Sequence, residues 1–199
     1  MALFESADNA IAAGIELYNA IVLNPNPQET FGLPYVKIGV GIHSGMARIG
    51  IVGEEERMSG TVISNTVNIS SRIESLTKRY GAGMIISKDT LDRMKNPDAL
   101  STRYLGMVQV AGVNEVSALY EVLDCLTYEQ RTLREQTKNE FREAVRLFHT
   151  ENLQESVEIF KEVKKENPED IAPELYISYI EDKIERGDNE HNIFQFKNK

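Results

Sequence analysis

Apolar positions recur along this chain with two periods, and the change between them divides it. Behind Ser6, Ala7, Ala10, Ile11, Gly14, Ile15, Tyr18, Ile21 and Val22 repeat at helical spacing until Asn24-Pro25-Asn26-Pro27 breaks the run. Val36 to Ile42 and Ala47 to Val52 are short apolar runs around small residues. With His43-Ser44-Gly45 between them, they read as a two-stranded hairpin. A charged stretch, Gly53 to Ser59, leads into a polar turn at Gly60 and then a helix. Ser64, Asn65 and Thr66 can each accept from its first N–H groups, Ile69, Ile73, Leu76 and Tyr80 form its buried stripe, and Gly81 is suited to end it. Met84-Ile85-Ile86 reads as a buried strand. Ser87 caps a small helix ending near Met94, and Thr102 to Val110 and Leu119 to Leu123 read as closing strands.

After Asp124 the period is helical throughout. Phe141, Ala144, Val145 and Phe148 mark one stripe, and Val157, Phe160 and Val163 a second. Leu175, Tyr176, Tyr179 and Ile180 mark a third, beyond the break at Asn167-Pro168. Ala144, Ser156, Phe160 and Pro168 fall near the spacing of a tetratricopeptide repeat, and an ordinary helical hairpin is an equal reading. One repeat plus a helix is too little for a solenoid, so this segment is expected to pack on the preceding domain or on a protein partner. The division is therefore residues 1–124, a helical segment 125–187, and a flexible tail 188–199.

Composition narrows the function classes. At 41% hydrophobic and 27% charged the chain is globular. A net charge of -9 argues against a surface that wraps nucleic acid. The single Cys125 excludes a disulfide framework and a cysteine-rich zinc site, and it fits a reducing, cytoplasmic setting. No apolar run reaches membrane length. His43, His149 and His191 lie far apart without metal-ligand spacing, so each reads as a strand or surface residue and no metal ligand is assigned.

The candidate chemistry lies on the central helix. Asn68 and Arg72, four residues apart, project from one face of its first two turns, off the buried stripe. An amide and a guanidinium near a helix N-terminus suit a sugar and a phosphate, because the Arg fork and the helix dipole both favour an anion. A solvated polar face is the plain alternative.

Several motifs in order carry a resemblance. Gly41-Ile42-His43-Ser44-Gly45, Gly50-Ile51-Val52-Gly53, Thr61-Val62-Ile63, Asn65-Thr66-Val67-Asn68, Ser71-Arg72-Ile73-Glu74 and Tyr120-Glu121-Val122-Leu123 resemble the C-terminal portion of a class III adenylate/guanylate cyclase catalytic domain. The resemblance implies an α+β fold: an incomplete ferredoxin-like, mainly antiparallel sheet with helices on one side, followed by the α-helical tail. It implies a site shared by two protomers in a homodimer, or with another facing cyclase protomer. Asn68 would orient the ribose, and Arg72 would stabilise charge at the α-phosphate. Thr61 would read the purine's exocyclic group, favouring ATP with GTP as the alternative. Asn65, also assigned to substrate binding, stands where many members carry Asp. Mg2+ or Mn2+ would be held by two aspartates that the family places ahead of the segment matching Met1, or by the facing protomer. Ala111 and Val113 stand where members usually carry lysines, one of which contacts the triphosphate.

The function implied is an adenylate cyclase fragment, converting ATP to cyclic AMP and pyrophosphate in the intact dimer for second-messenger signalling. One alternative is a non-catalytic cyclase-like half-domain, a partner or scaffold acting through its dimer face and helical tail. Another is a helical interaction module with a decayed domain attached. An apolar sheet edge left by the hairpin would also favour dimerisation.

Overall fold

The computed structural model describes residues 1–24, 32, 36–52, 59–109, 116–187 and 193–195. Its helices are α1 (Ala7–Ile21), α2 (Asn65–Tyr80), α3 (Lys88–Leu91), α4 (Tyr128–Gln136), α5 (Lys138–His149), α6 (Leu153–Glu166) and α7 (Ile171–Arg186). Its strands are β1 (Val40–Ile42), β2 (Arg48–Val52), β3 (Ser59–Ile63), β4 (Met84–Ser87), β5 (Thr102–Gln109), β6 (Val116–Val122) and β7 (Phe194–Gln195). Among the described residues, five strands form one sheet in the order β1-β4-β6-β5-β7. The fold is α+β.

The expected hairpin from Val36 to Val52 does not form. β1 instead pairs in parallel with β4, Gly41 opposite Ile85, while β2 pairs antiparallel with β3 in a separate two-stranded ribbon, Gly50 opposite Thr61. The cause is the close approach of β1 to α2. A Cβ on Gly41 would lie 2.2 Å from the Glu74 amide nitrogen and 2.7 Å from the Ser70 carbonyl oxygen, so the β1 backbone rests directly on the helix. Ser70 Oγ donates to the Gly41 carbonyl at 2.9 Å and fastens the contact. The five residues after β1 then cross the start of α2, and β2 meets the strand that runs into that helix.

The sheet is mainly antiparallel, as the resemblance implies: β4–β6 and β5–β6 are antiparallel and the β1–β4 and β5–β7 pairings parallel. One feature differs from the implied fold, in that helices flank both faces. Ile85, Leu105, Val108 and Leu119 face a core shared with α2, α5, α6 and α7, whereas Met84, Ile86 and Val122 face a smaller core with Ile11 of α1. This is why β4 is buried at all four positions. A strand with both faces covered carries a continuous apolar run instead of alternating.

The helical segment shares the main core with the sheet. Tyr176 OH donates to the Leu105 carbonyl, and the Met107 N–H donates to His149 Nε2 at 3.2 Å, so α7 and α5 both bond to β5. His149 is thus a helical hydrogen-bond acceptor, not a strand or surface residue. Ser156 Oγ donates to the Ala144 carbonyl at 2.8 Å and closes the α5–α6 crossing. Phe194–Gln195, inside the stretch expected to be a flexible tail, pairs with Val108 and Gln109 of β5, and Phe194 is buried.

A buried charge cluster ties the two parts together. Arg103 of β5 reaches Glu121 of β6 at 2.6 Å and also pairs with Asp170, the N-cap of α7. Arg134 of α4 lies 3.0 Å from both Glu121 and Asp170. The Arg103 guanidinium stacks 4.4 Å above the Phe141 ring of α5. Burial opposes the charge on Asp170, but Arg103 and then Arg134 outweigh it and hold the carboxyl below its usual range.

Candidate functional site

Local chemistry sets the start of α2. Of the three possible caps, Ser64 takes the position, with extended backbone and its Oγ accepting from the Thr66 N–H at 3.1 Å. Ser64 Oγ also donates to the Met46 carbonyl at 2.6 Å, and Thr66 Oγ1 donates to the same carbonyl at 2.9 Å. Two hydroxyls therefore fasten the loop after β1 to the first turn. His43 in that loop bonds through Nδ1 to Ser87 Oγ at 2.8 Å. At the far end, Gly81 adopts the left-handed conformation (φ 63°) and closes the helix as its sequence position predicts.

The buried stripe is the expected one: Ile69, Ile73, Leu76 and Tyr80 are all buried. It orients the helix so that Asn65 and Asn68 are exposed, while Arg72 is half-buried. Asn65 occupies the first helical position and is not the cap. Thr61 lies in strand β3, three residues before the cap, so the expected polar turn at Gly60 is strand instead. α2 thus brings Asn65, Asn68 and Arg72 together, and β3 places Thr61 next to them in the chain.

The electrostatics centre on Arg72. Its Nη1 is buried and has no hydrogen-bond partner among the described residues. A guanidinium nitrogen withdrawn from water without an acceptor is costly. Among the described residues, no three His, Cys, Asp or Glu side chains converge to hold a metal ion. Glu74 follows Arg72 on α2, and Asp92, beyond β4, is paired with Lys88. Ala111, Val113 and the charged stretch Glu54-Glu55-Glu56 lie outside the described residues.

Sequence reasoning missed the hydroxyl fastenings at Ser64, Thr66 and Ser70 and the charge cluster around Arg103. The first leave no signal, because Ser and Thr at a helix start read as caps. The second had one: Arg103 and Glu121 are charges inside otherwise apolar strands.

Residues 4–124 match the adenylate and guanylate cyclase catalytic domain, and the chain belongs to that family. It is 36% identical over 129 residues to an adenylate cyclase of Anabaena cylindrica, covering 61% of this chain and 26% of that protein. It is 29% identical over 184 residues to the terminal-differentiation-specific adenylate cyclase of Dictyostelium discoideum, covering 89% of this chain and 9% of that one. That similarity extends past the family match into the helical segment. The crystal structure of the adenylyl cyclase CyaB from P. aeruginosa is similar at 28% identity, covering 59% of this chain and 60% of that chain, with a TM-score of 0.48. The chain thus spans about a quarter or less of the length of these two curated relatives. No described helix is long and apolar enough to cross a membrane.

Proposed function

We propose that the chain supplies the nucleotide-recognising and charge-stabilising half of an adenylate cyclase site, completed by a facing protomer. The observation that carries this reading is the buried Nη1 of Arg72, without a partner among the described residues, on the helix that also presents Asn68. In cyclisation, the ribose 3′ hydroxyl gives up its proton to solvent as its oxygen attacks the α-phosphorus, the bond from that phosphorus to the bridging oxygen breaks, and pyrophosphate leaves. Negative charge builds on the α-phosphate and leaving oxygens. Arg72 is assigned to that charge, where a fixed guanidinium shielded from water is worth most. Asn68 is assigned to the ribose, Thr61 to the base and Asn65 to the substrate side of the first turn. The carboxylates that hold Mg2+ or Mn2+ are expected from outside the described residues, on the facing protomer or elsewhere in the polypeptide.

The substrate reading is ATP, with cyclic AMP as an intracellular messenger made in the cytoplasm. Thr61→Val should shift the preference between ATP and GTP by about 1–3 kcal/mol while the rate at saturating ATP changes little. Competition between the two nucleotides measures it, and an unchanged preference would remove Thr61 from the site. We read residues 1–124 as the catalytic part and 125–187 as a tetratricopeptide-type hairpin plus a third helix. The Ser156–Ala144 bond at the helix crossing supports the hairpin, and a protein partner is its proposed ligand.

The deciding experiment mixes these 199 residues with a full-length relative that keeps its metal aspartates but lacks its own Asn and Arg. Cyclic AMP should form from the mixture and from neither component alone. Robust metal-dependent activity of the 199 residues by themselves would overturn the half-site reading. A folded but silent mixture would favour the scaffold reading.

A further inference from the structure

The C-terminal segment occupies a groove with the features of a peptide-binding site. Phe194 and Gln195 add a parallel strand to β5, opposite Val108 and Gln109. Phe194 is 2% exposed. Its ring lies 4.3 Å from that of Tyr179, 4.7 Å from Tyr176, 5.8 Å from Phe148 and 6.4 Å from Tyr80, centroid to centroid. The Tyr176 contact is edge-on, and Tyr80 is the last residue of α2. These cage residues come from three helices, and all belong to or pack against the main core, so the cage is built by elements other than the segment that fills it. A strand edge supplying backbone partners beside an aromatic pocket for one side chain is the general geometry of strand addition.

We propose that the β5 edge and this cage form a binding site for an extended, phenylalanine-bearing peptide, which the chain's own residues 193–195 fill as an intramolecular ligand. The occupant is held by two paired residues and one buried ring, and its attachment to α7 runs from Gly187 through a polar stretch. Tethering raises the local concentration of the segment to about the millimolar range, which holds it in its seat beyond what the contact itself supplies. A separate peptide of the same chemistry therefore competes for the same seat.

The test uses a fluorescent peptide of residues 188–199 and the full chain carrying Phe194→Ala, which empties the cage without removing the tether. The variant should bind the peptide saturably. The wild-type chain should bind it at least about 10-fold more weakly, because its own segment competes. A peptide that itself carries Phe194→Ala should not bind. Equal binding to both chains, or no binding to a variant whose circular dichroism is native, would overturn the proposal. Should the variant not fold, 4-fluorophenylalanine at position 194 of the wild-type chain gives the answer. Excess unlabelled peptide should convert its buried 19F resonance into a released one, and an unmoved resonance would overturn the proposal.

Discussion

Asp170→Ala should destabilise the fold by about 3–5 kcal/mol, since it removes one partner of a buried ionic group and leaves the others uncompensated. Asp170 and Glu121 together balance Arg103 and Arg134, and three of the four side chains are fully inaccessible to solvent. Without Asp170, two guanidinium groups share one carboxylate. The substitution also deletes the α7 cap, whose Oδ1 accepts from the Ala172 N–H at 3.1 Å, a loss of about 1 kcal/mol more. Asp170→Asn keeps a capping acceptor but not the charge, so it should fall between wild type and alanine. For a domain of this size each kcal/mol lowers Tm by about 2–4 °C, which places the alanine variant about 8–24 °C below wild type. The acid limb is a second readout. Because the folded-state pKa of Asp170 is depressed, its contribution is fully present above the unfolded value near 4 and is lost as pH falls through the folded value. Urea midpoints measured from pH 7 to pH 3 should therefore fall less steeply in the Asn variant. An alanine variant within about 1 kcal/mol of wild type would mean that solvent reaches the cluster and screens it.

The same cluster marks where sequence reasoning stopped. Periodicity placed α1, α2, β4 and the three tail stripes because each buries one face and the apolar residues record it. It could not place β1, whose partner was decided by the missing Cβ of Gly41 against Ser70 and Glu74 of α2, a contact between residues distant in the chain. A glycine between apolar residues reads as a hairpin strand when its neighbour across space is unknown. Phe194 was misread for a related reason. In a polar tail a single aromatic has no period, and only the cage formed by Tyr80, Phe148, Tyr176 and Tyr179 gives it a place. The candidate site was more legible. Asn68 and Arg72 lie four apart on one helix, so their relation is local, and the motif order around them identified the family. What the motif did not contain is how the helix is fixed. Met46 and Gly41 supply carbonyls from the β1 side, and Ser64, Thr66 and Ser70 supply the hydroxyls that find them.

That fixing is the reason to expect a large effect at Arg72. In the reconstituted two-protomer enzyme, Arg72→Ala should lower kcat by about 100- to 1,000-fold, equivalent to about 3–4 kcal/mol in the barrier, with KM for ATP little changed. The guanidinium is held by a helix whose start is bonded to the Met46 carbonyl and whose second turn is bonded to Gly41, so it does not have to reorganise as charge develops. Its buried Nη1 without a partner among the described residues already carries a desolvation cost, and an acceptor present only in the substrate complex would relieve it. Arg72→Lys should recover little, because an ammonium on a flexible stem cannot reproduce two parallel donors at one phosphate. Removal of the charge should also stabilise the free protein slightly, the opposite of what a structural arginine would do. Steady-state kinetics and thermal melts of both variants separate the cases. A raised KM at unchanged kcat would reduce Arg72 to ground-state binding, and a large loss of Tm would make it a structural residue instead.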